Sequence, residues 1–163
     1  MEHVLIRKLE HLAGTATAPQ VGFAVEARDR PGPAYKNGAF EDDVVWVQLH
    51  GGLFVAKAKV RISWIGEFSN IREIRARIRA STLHEMEGFW TGRAKYGYAA
   101  VASLKDEVWI EPFWAGPRTY GYEWVILDDA KKRASWLDRK EPPRGGDELR
   151  RRFVSWLSTR PHP

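Results

Sequence analysis

Three turns of the chain set aromatic rings beside basic side chains, a combination suited to a flat, charged ligand. They are "SWIGEF" (63–68) with Trp64, "FWTGRAKYGY" (89–98) with Trp90, Arg93, Lys95 and Tyr96, and "PFWAGPRTYGYEW" (112–124) with Phe113, Trp114 and Arg118. A large ring on a loop must be docked, exposed or engaged with something. Stacking on a nucleobase is worth ~1–3 kcal/mol per base and tolerates any sequence, since every base has a π-face. A guanidinium next to the ring adds a phosphate contact or a cation–π lid. Trp64, Trp90 and Trp114 are therefore candidate edges of a base pocket. Tyr122 and Trp124 alternate with Gly121, Glu123 and Val125 and are expected to be core rings of a strand.

A second source of charge is the hairpin "DVVWVQLHGGLFVAKAKVRI" (43–62). Gly51-Gly52 suits a two-residue primed turn, which needs positive φ. That turn sets Gln48 opposite Val55, Trp46 opposite Lys57, Val44 opposite Lys59 and Asp42 opposite Arg61. Alternation then gives one apolar face of Val45, Val47, Leu49, Phe54, Ala56, Ala58 and Val60. The other face presents Lys57, Lys59 and Arg61 in a row beside Trp46 and His50. Such a stripe can track a phosphate backbone, with Arg93 and Arg118 as further phosphate contacts. The alternative is a solvated strand face on which the stem of Lys57 covers Trp46.

The elements that must hold these residues are mostly short strands. Runs of strand character occupy Val21–Arg28, Val44–His50, Leu53–Ile62, Tyr96–Leu104, Val108–Glu111 and Tyr120–Leu127, with turn signals at "RPGP", "KNG", "GG" and "AGP". Helical periodicity interrupts them. In "SNIREIRARIRAS" (69–81) Ile71, Ile74 and Ile78 share a face, with Ser69 or Asn70 as the cap. A short helix is expected over Asp129–Leu137. Asp147 can cap "ELRRRFVSWLSTR", where Leu149, Phe153 and Trp156 recur on one face. The pattern predicts an α+β fold, a small and mostly antiparallel β-barrel with peripheral helices. Residues 1–138 would form the barrel domain, and 139–163 a linker ("RKEPPRGG") and a C-terminal helical extension packed on it.

The formal charge is +5, from 26 Lys and Arg against 21 Asp and Glu. Arginine predominates among the bases, and its planar fork suits phosphate and ring contacts, so the balance is compatible with a polyanionic partner. The absence of cysteine rules out disulfides and thiolate zinc sites. The N-terminal "MEHVLIRKLEHLAG" is charged at intervals and has no signal-peptide core, and no run approaches the ~20 apolar residues of a membrane span. A cytoplasmic protein with no membrane partner is expected. No Walker or Rossmann phosphate loop and no nucleophile elbow is present. The five histidines show no metal-ligand pairing, and "HEMEG" (84–88) reads as an acidic helix end.

The order of elements resembles the PUA-like superfamily of small β-barrels, which includes the PUA, ASCH, EVE and YTH domains. "VGFAVEAR", "EDDVVWVQLHGGLFVAKAKV", a helix, "YGYAAVASL" and "EWVIL" carry the resemblance, over roughly residues 4–127. Glu26-Ala27-Arg28 matches the E-x-R part of the ASCH motif G-x-K-x-x-E-x-R, with Val21 and Phe23 standing where that motif has its glycine and lysine. The resemblance implies a nucleic-acid-binding domain, for RNA or DNA, that holds a base, modified or not, from a single strand or flipped out of a duplex. Glu26 and Arg28 would meet the base edge, and no cofactor is required. It also implies an alternative, an ASCH-like hydrolase of a modified nucleoside or RNA with Glu26 as base. A protein-interaction module built on the helix at 69–81 and the terminal helix is the third reading.

Overall fold

The structure is a computed structural model that describes residues 1–117 and 122–162. Its frame is one six-stranded sheet in the order β2-β5-β4-β3-β1-β6. The strands are β1 (Glu2–Arg7), β2 (Phe23–Arg28), β3 (Val44–Leu49), β4 (Leu53–Phe68), β5 (Gly97–Trp114) and β6 (Trp124–Leu127). β1 runs parallel to β3, and every other neighbouring pair is antiparallel. The sheet curls into a half-barrel with helices around it, an α+β fold.

β1 lies where only a charged N-terminal stretch was expected. Its side chains alternate: Leu5 enters the central core, whereas Val4 faces the opposite side and packs with Val125 and Trp136. Burial on both faces turns "VLI" into a continuous apolar run and hides the period of two.

β4 and β5 are longer than expected, and the two anticipated strands at 96–104 and 108–111 are one. Asp106, at φ 52°, absorbs the break in the left-handed region, and the β4–β5 register shifts at three places along its length. Bulges of this kind add twist and bend, which is how a pair of strands this long can curl.

The hairpin turn at Gly51-Gly52 has the expected positive φ at both glycines, 114° and 108°. Trp46 faces Lys57 and Val44 faces Lys59, as the turn predicts, but the register slips next to the turn and sets Gln48 opposite Phe54 rather than Val55. Phe54 consequently leaves the expected face and stacks on Phe113, with centroids 4.9 Å apart and planes within 5°. Leu53, Val55 and Ala56 all join the central core in its place.

Among the described residues five α-helices flank the sheet: α1 (Pro33–Asn37), α2 (Ile71–Arg77), α3 (Glu87–Trp90), α4 (Ala130–Leu137) and α5 (Gly146–Ser158). Asn70 caps α2 by accepting from the Arg72 N–H at 2.9 Å, and Asp129 caps α4 by accepting from the Lys132 N–H at 2.7 Å. α2 is shorter than its isoleucine pattern, yet Ile74 and Ile78 are fully buried and build a second core with Val25, Ala99 and Val101. α5 starts at Gly146, so Asp147 lies in its first turn rather than at the cap. Phe153 carries that helix into the central core. No helix among the described residues is long and apolar enough to cross a membrane.

Candidate functional site

The half-barrel has a seam. Its edge strands are β2 and β6, and among the described residues no ladder joins them. β1 and β6 pair as far as Leu5 and Trp124, after which the Ile6 N–H donates to the Glu123 carbonyl at 2.8 Å. Arg7, the next residue, extends the Leu5 side of the strand and crosses the gap. Its guanidinium donates to the Phe23 carbonyl at 2.9 Å and, at 3.4 Å, to the Val21 carbonyl at the head of β2. A side chain thus bridges the edges where a strand ladder would close a barrel.

A cleft of about 720 Å³ opens over this bridge. Arg7 is 4% exposed at its floor, and among the described residues it has no carboxylate within ion-pair distance. Burial pushes its pKa down to about 10, with Glu123 and Glu107 opposing the shift from farther off. Phe89, buried in the second core, backs the cleft, with the Arg7 guanidinium 5.5 Å and the Arg93 guanidinium 4.0 Å from its ring centroid. His11 meets the same ring edge-on at 5.6 Å. On the facing wall the Arg28 guanidinium lies 4.2 Å over the Tyr122 ring. Lys8, Lys95 and Tyr96 stand exposed at the rim. The lining holds five Lys and Arg side chains against the carboxylates of Glu26, Asp29 and Glu123, so a net positive potential remains even after acids and bases cancel.

Two of those carboxylates are already engaged. Glu123 forms a two-pronged ion pair with Arg93. Glu26, at the buried edge of the cleft, accepts from the backbone N–H groups of Ala34 and Tyr35, both at 3.0 Å, and so holds the first turn of α1. A Cβ at Gly32 would fall 2.5 Å from that carboxyl, which explains the glycine before Pro33. Burial nevertheless raises the Glu26 carboxyl above the usual glutamate range, against the two N–H bonds and Arg28, which lower it.

Of the residues expected at a site, Glu26, Arg28 and Arg93 come together in this cleft. The tryptophans do not. Trp114 ends β5 opposite Leu53 and lies in the central core at 6% exposure, so it is not a loop ring. Trp90 is buried in the second core with its indole N–H on the Leu83 carbonyl at 2.8 Å. Trp64, half-buried on β4, is covered by the Arg77 guanidinium at 3.6 Å. Lys57 lies over Trp46, its ammonium 5.1 Å from the ring centroid, and Lys59 and Arg61 are exposed on the same outer face. None of these three bases lines the cleft. Arg118 lies outside the described residues. Tyr122 is a wall residue rather than a core ring, because β6 begins only at Trp124. Trp124 itself is core, at 1% exposure, and donates to the His3 Nδ1 at 3.1 Å.

Arg7, Lys8, His11, Asp29, Phe89 and Glu123 are among the cleft residues that the sequence did not single out. The available signal was Arg7 at the end of an apolar run, an unusual place for a charge that alternation directs inward.

Among the described residues no group of three or more His, Asp or Glu is placed to hold a metal ion. Comparison of the chain with protein-family models, with curated proteins and with solved structures gives no match in any of the three.

Proposed function

We propose that the seam cleft takes one unpaired nucleobase of a nucleic-acid strand, RNA or DNA, and that the protein is a nucleic-acid-binding domain. The observation that carries this reading is an aromatic wall, Tyr122, in one concave site with four cations, Arg7, Lys8, Arg28 and Lys95, that make no ion pair among the described residues. Tyr122 supplies an aromatic wall, and Arg28, 4.2 Å from the centroid of that ring, can stack on a base or meet a phosphate. Lys8 and Lys95 make no ion pair among the described residues and stand where a backbone would pass. The mostly antiparallel curled sheet accords with the PUA-like resemblance of residues 4–127, which implies the same class of ligand.

The competing readings draw less support. Glu26 has the raised pKa that acid–base chemistry uses, but both its oxygens are tied to the N-terminus of α1, the geometry of a structural cap. The arginine-rich α2 uses Arg75 and Arg77 within the protein, on the His84 carbonyl, Glu87 and Trp64. Arg72 and Arg79, exposed and without an ion pair among the described residues, are what this segment offers a protein partner.

Equilibrium binding of nucleoside 5′-monophosphates and short single strands across a salt series tests the proposal. Arg28→Ala should raise the dissociation constant roughly five- to hundred-fold, the equivalent of ~1–3 kcal/mol. Its thermal melt should hardly move, since Arg28 is half-exposed and has no ion pair among the described residues. A parent protein that binds neither ligand at low salt rejects the reading.

A further inference from the structure

A second, shallower groove of about 630 Å³ runs between the 3-10 turn Leu9–His11 and α5. Its lining is Leu9, Glu148, Arg151, Arg152, Ser155 and Trp156. The groove adjoins the cleft. Lys8 and His11 line one and Leu9, between them, lines the other, so the two meet along this short segment. On the far side His50 lines the cleft, while its neighbour Gly51 sits so close to Leu149 of α5 that a Cβ there would fall 2.8 Å from the leucine side chain. α5 is thereby held against the mouth of the cleft.

The composition of this groove suits a polynucleotide strand. Arg151 and Arg152 are exposed and make no ion pair among the described residues, whereas Arg150 turns toward Glu111, 3.9 Å away. Arg151 has only a long 3.4 Å bond to the Asp147 carbonyl of its own helix. Glu148 is the one acid in the lining, so the two arginines leave the groove net positive. Trp156 is half-buried, stacked on Phe153 at 6.1 Å with the Arg160 guanidinium 4.6 Å from its ring, and with Leu9 it gives the groove an apolar side.

We infer that the strand supplying a base to the cleft leaves it over the Lys8–Leu9 segment and lies along α5, with Arg151 and Arg152 as its phosphate contacts. The inference rests on the cleft reading and adds to it a path and a partner, a single strand several nucleotides long. Single-strand sites of about 4–16 nucleotides are usual for one small domain, and the two adjoining hollows give room for more than one nucleotide.

The test compares random-sequence RNA and DNA single strands of about eight nucleotides with nucleoside 5′-monophosphates, on the parent and on Arg151→Gln/Arg152→Gln. The parent should bind the octamers more tightly than the monophosphates. The double variant should lose about tenfold or more of octamer affinity at low salt, keep its monophosphate affinity, and show a salt slope shallower by about 1.4, at ~0.7 per phosphate contact on a single strand. Its melt should match the parent's, because both side chains are exposed. An octamer-to-monophosphate affinity ratio and salt slope unchanged in the variant would overturn the path while leaving the cleft reading intact. A parent that binds neither ligand overturns both.

Discussion

Arg28 at the seam and Lys57 on the β3–β4 hairpin both hold a cation over an aromatic ring, 4.2 Å from Tyr122 and 5.1 Å from Trp46. Each has further bases nearby, Arg93 and Lys95 in one case, Lys59 and Arg61 in the other. Composition does not separate them; shape does. On the hairpin the rings and stems cover one another on an outer face. The Trp46 indole N–H is bonded to Glu2 at 3.2 Å, and Lys105, opposite Lys59, is paired with Asp42 at 2.8 Å. At the seam no ladder closes the sheet among the described residues, so the bases line a hollow, and Arg7 beneath them is buried with no described carboxylate in ion-pair contact. A ligand there meets charge at reduced dielectric, where an ionic contact is worth more than on an open strand. Sites form where the fold leaves a gap, and residue type alone does not reveal the gap.

The sharpest test of that distinction is a ring expected at a site and found in the core. Trp114→Ala should cost about 3–5 kcal/mol of stability, the usual price of emptying a buried aromatic position. The indole lies in the central core and against Gly146, where a Cβ would fall 3.1 Å from it, so the variant loosens the base of α5 as well. Chemical denaturation should show the loss, and protein that stays folded should bind monophosphates like the parent. A small loss of stability with a large loss of binding would return Trp114 to the site.

Trp114 departs from the sequence expectation because β5 runs three residues past Glu111, the expected strand end. The turn "AGP" was recognisable, but β5 runs up to its first residue, and Trp114 therefore completes a ladder pair with Leu53 instead of opening a loop. Tyr122 fails in the opposite sense. Alternation from Tyr120 assumed a strand that begins only at Trp124, and a residue outside the ladder is not bound by its period. What the sequence made legible was local: the glycine turn at 51–52, the isoleucine face of α2, the Asp129 cap and the core position of Trp124. The gathering of Glu26, Arg28 and Arg93 followed from the E-x-R likeness and a basic turn. The seam was not legible, because it depends on β1 slipping between β3 and β6 and on bulges that set how far β4 and β5 curl. Neither leaves a periodic trace.

Carboxylates divide the two regions in the same way and give an intermediate effect. Glu26 at the cleft is raised by burial, whereas Asp42 at the hairpin is lowered by its bond to Lys105. A raised acid binds its proton more tightly in the folded state. The stability linked to Glu26 is therefore greatest below the unfolded glutamate value and falls as pH rises through the folded one. For Asp42 the sign reverses: its contribution is present above the ordinary aspartate value and is lost as pH falls. Urea unfolding of the parent and Glu26→Gln at about pH 4 and about pH 7 isolates the first effect. The stability of the parent relative to the variant should decline between those values. Glu107, raised by burial in the same direction, is common to both proteins and cancels. A parent that gains on the variant as pH rises would mean that the N–H bonds from α1 outweigh burial, making Glu26 an ordinary ionised cap.

The smallest expected effect belongs to the hairpin. Lys59→Ala/Arg61→Ala removes two bases from an exposed strand face, so stability should change by no more than about 0.5 kcal/mol. If the strand runs from the seam along α5, neither side chain touches it, and only the screened long-range field is reduced. With a Debye length of about 8–10 Å at moderate salt, that field decays before it reaches a separate site. Octamer affinity should then fall less than about twofold, and the slope of affinity against salt should be nearly unchanged. The control is built in: Arg151→Gln/Arg152→Gln removes the same number of charges from the same protein, so the difference between the two variants reports position and not net charge. A slope reduced by about 1.4 in the hairpin variant, and unchanged in the α5 variant, would move the phosphate path to the outer face of β4. In that case the seam could still take the base, but the strand would have to reach it from the hairpin side, past the Gly51-Gly52 turn.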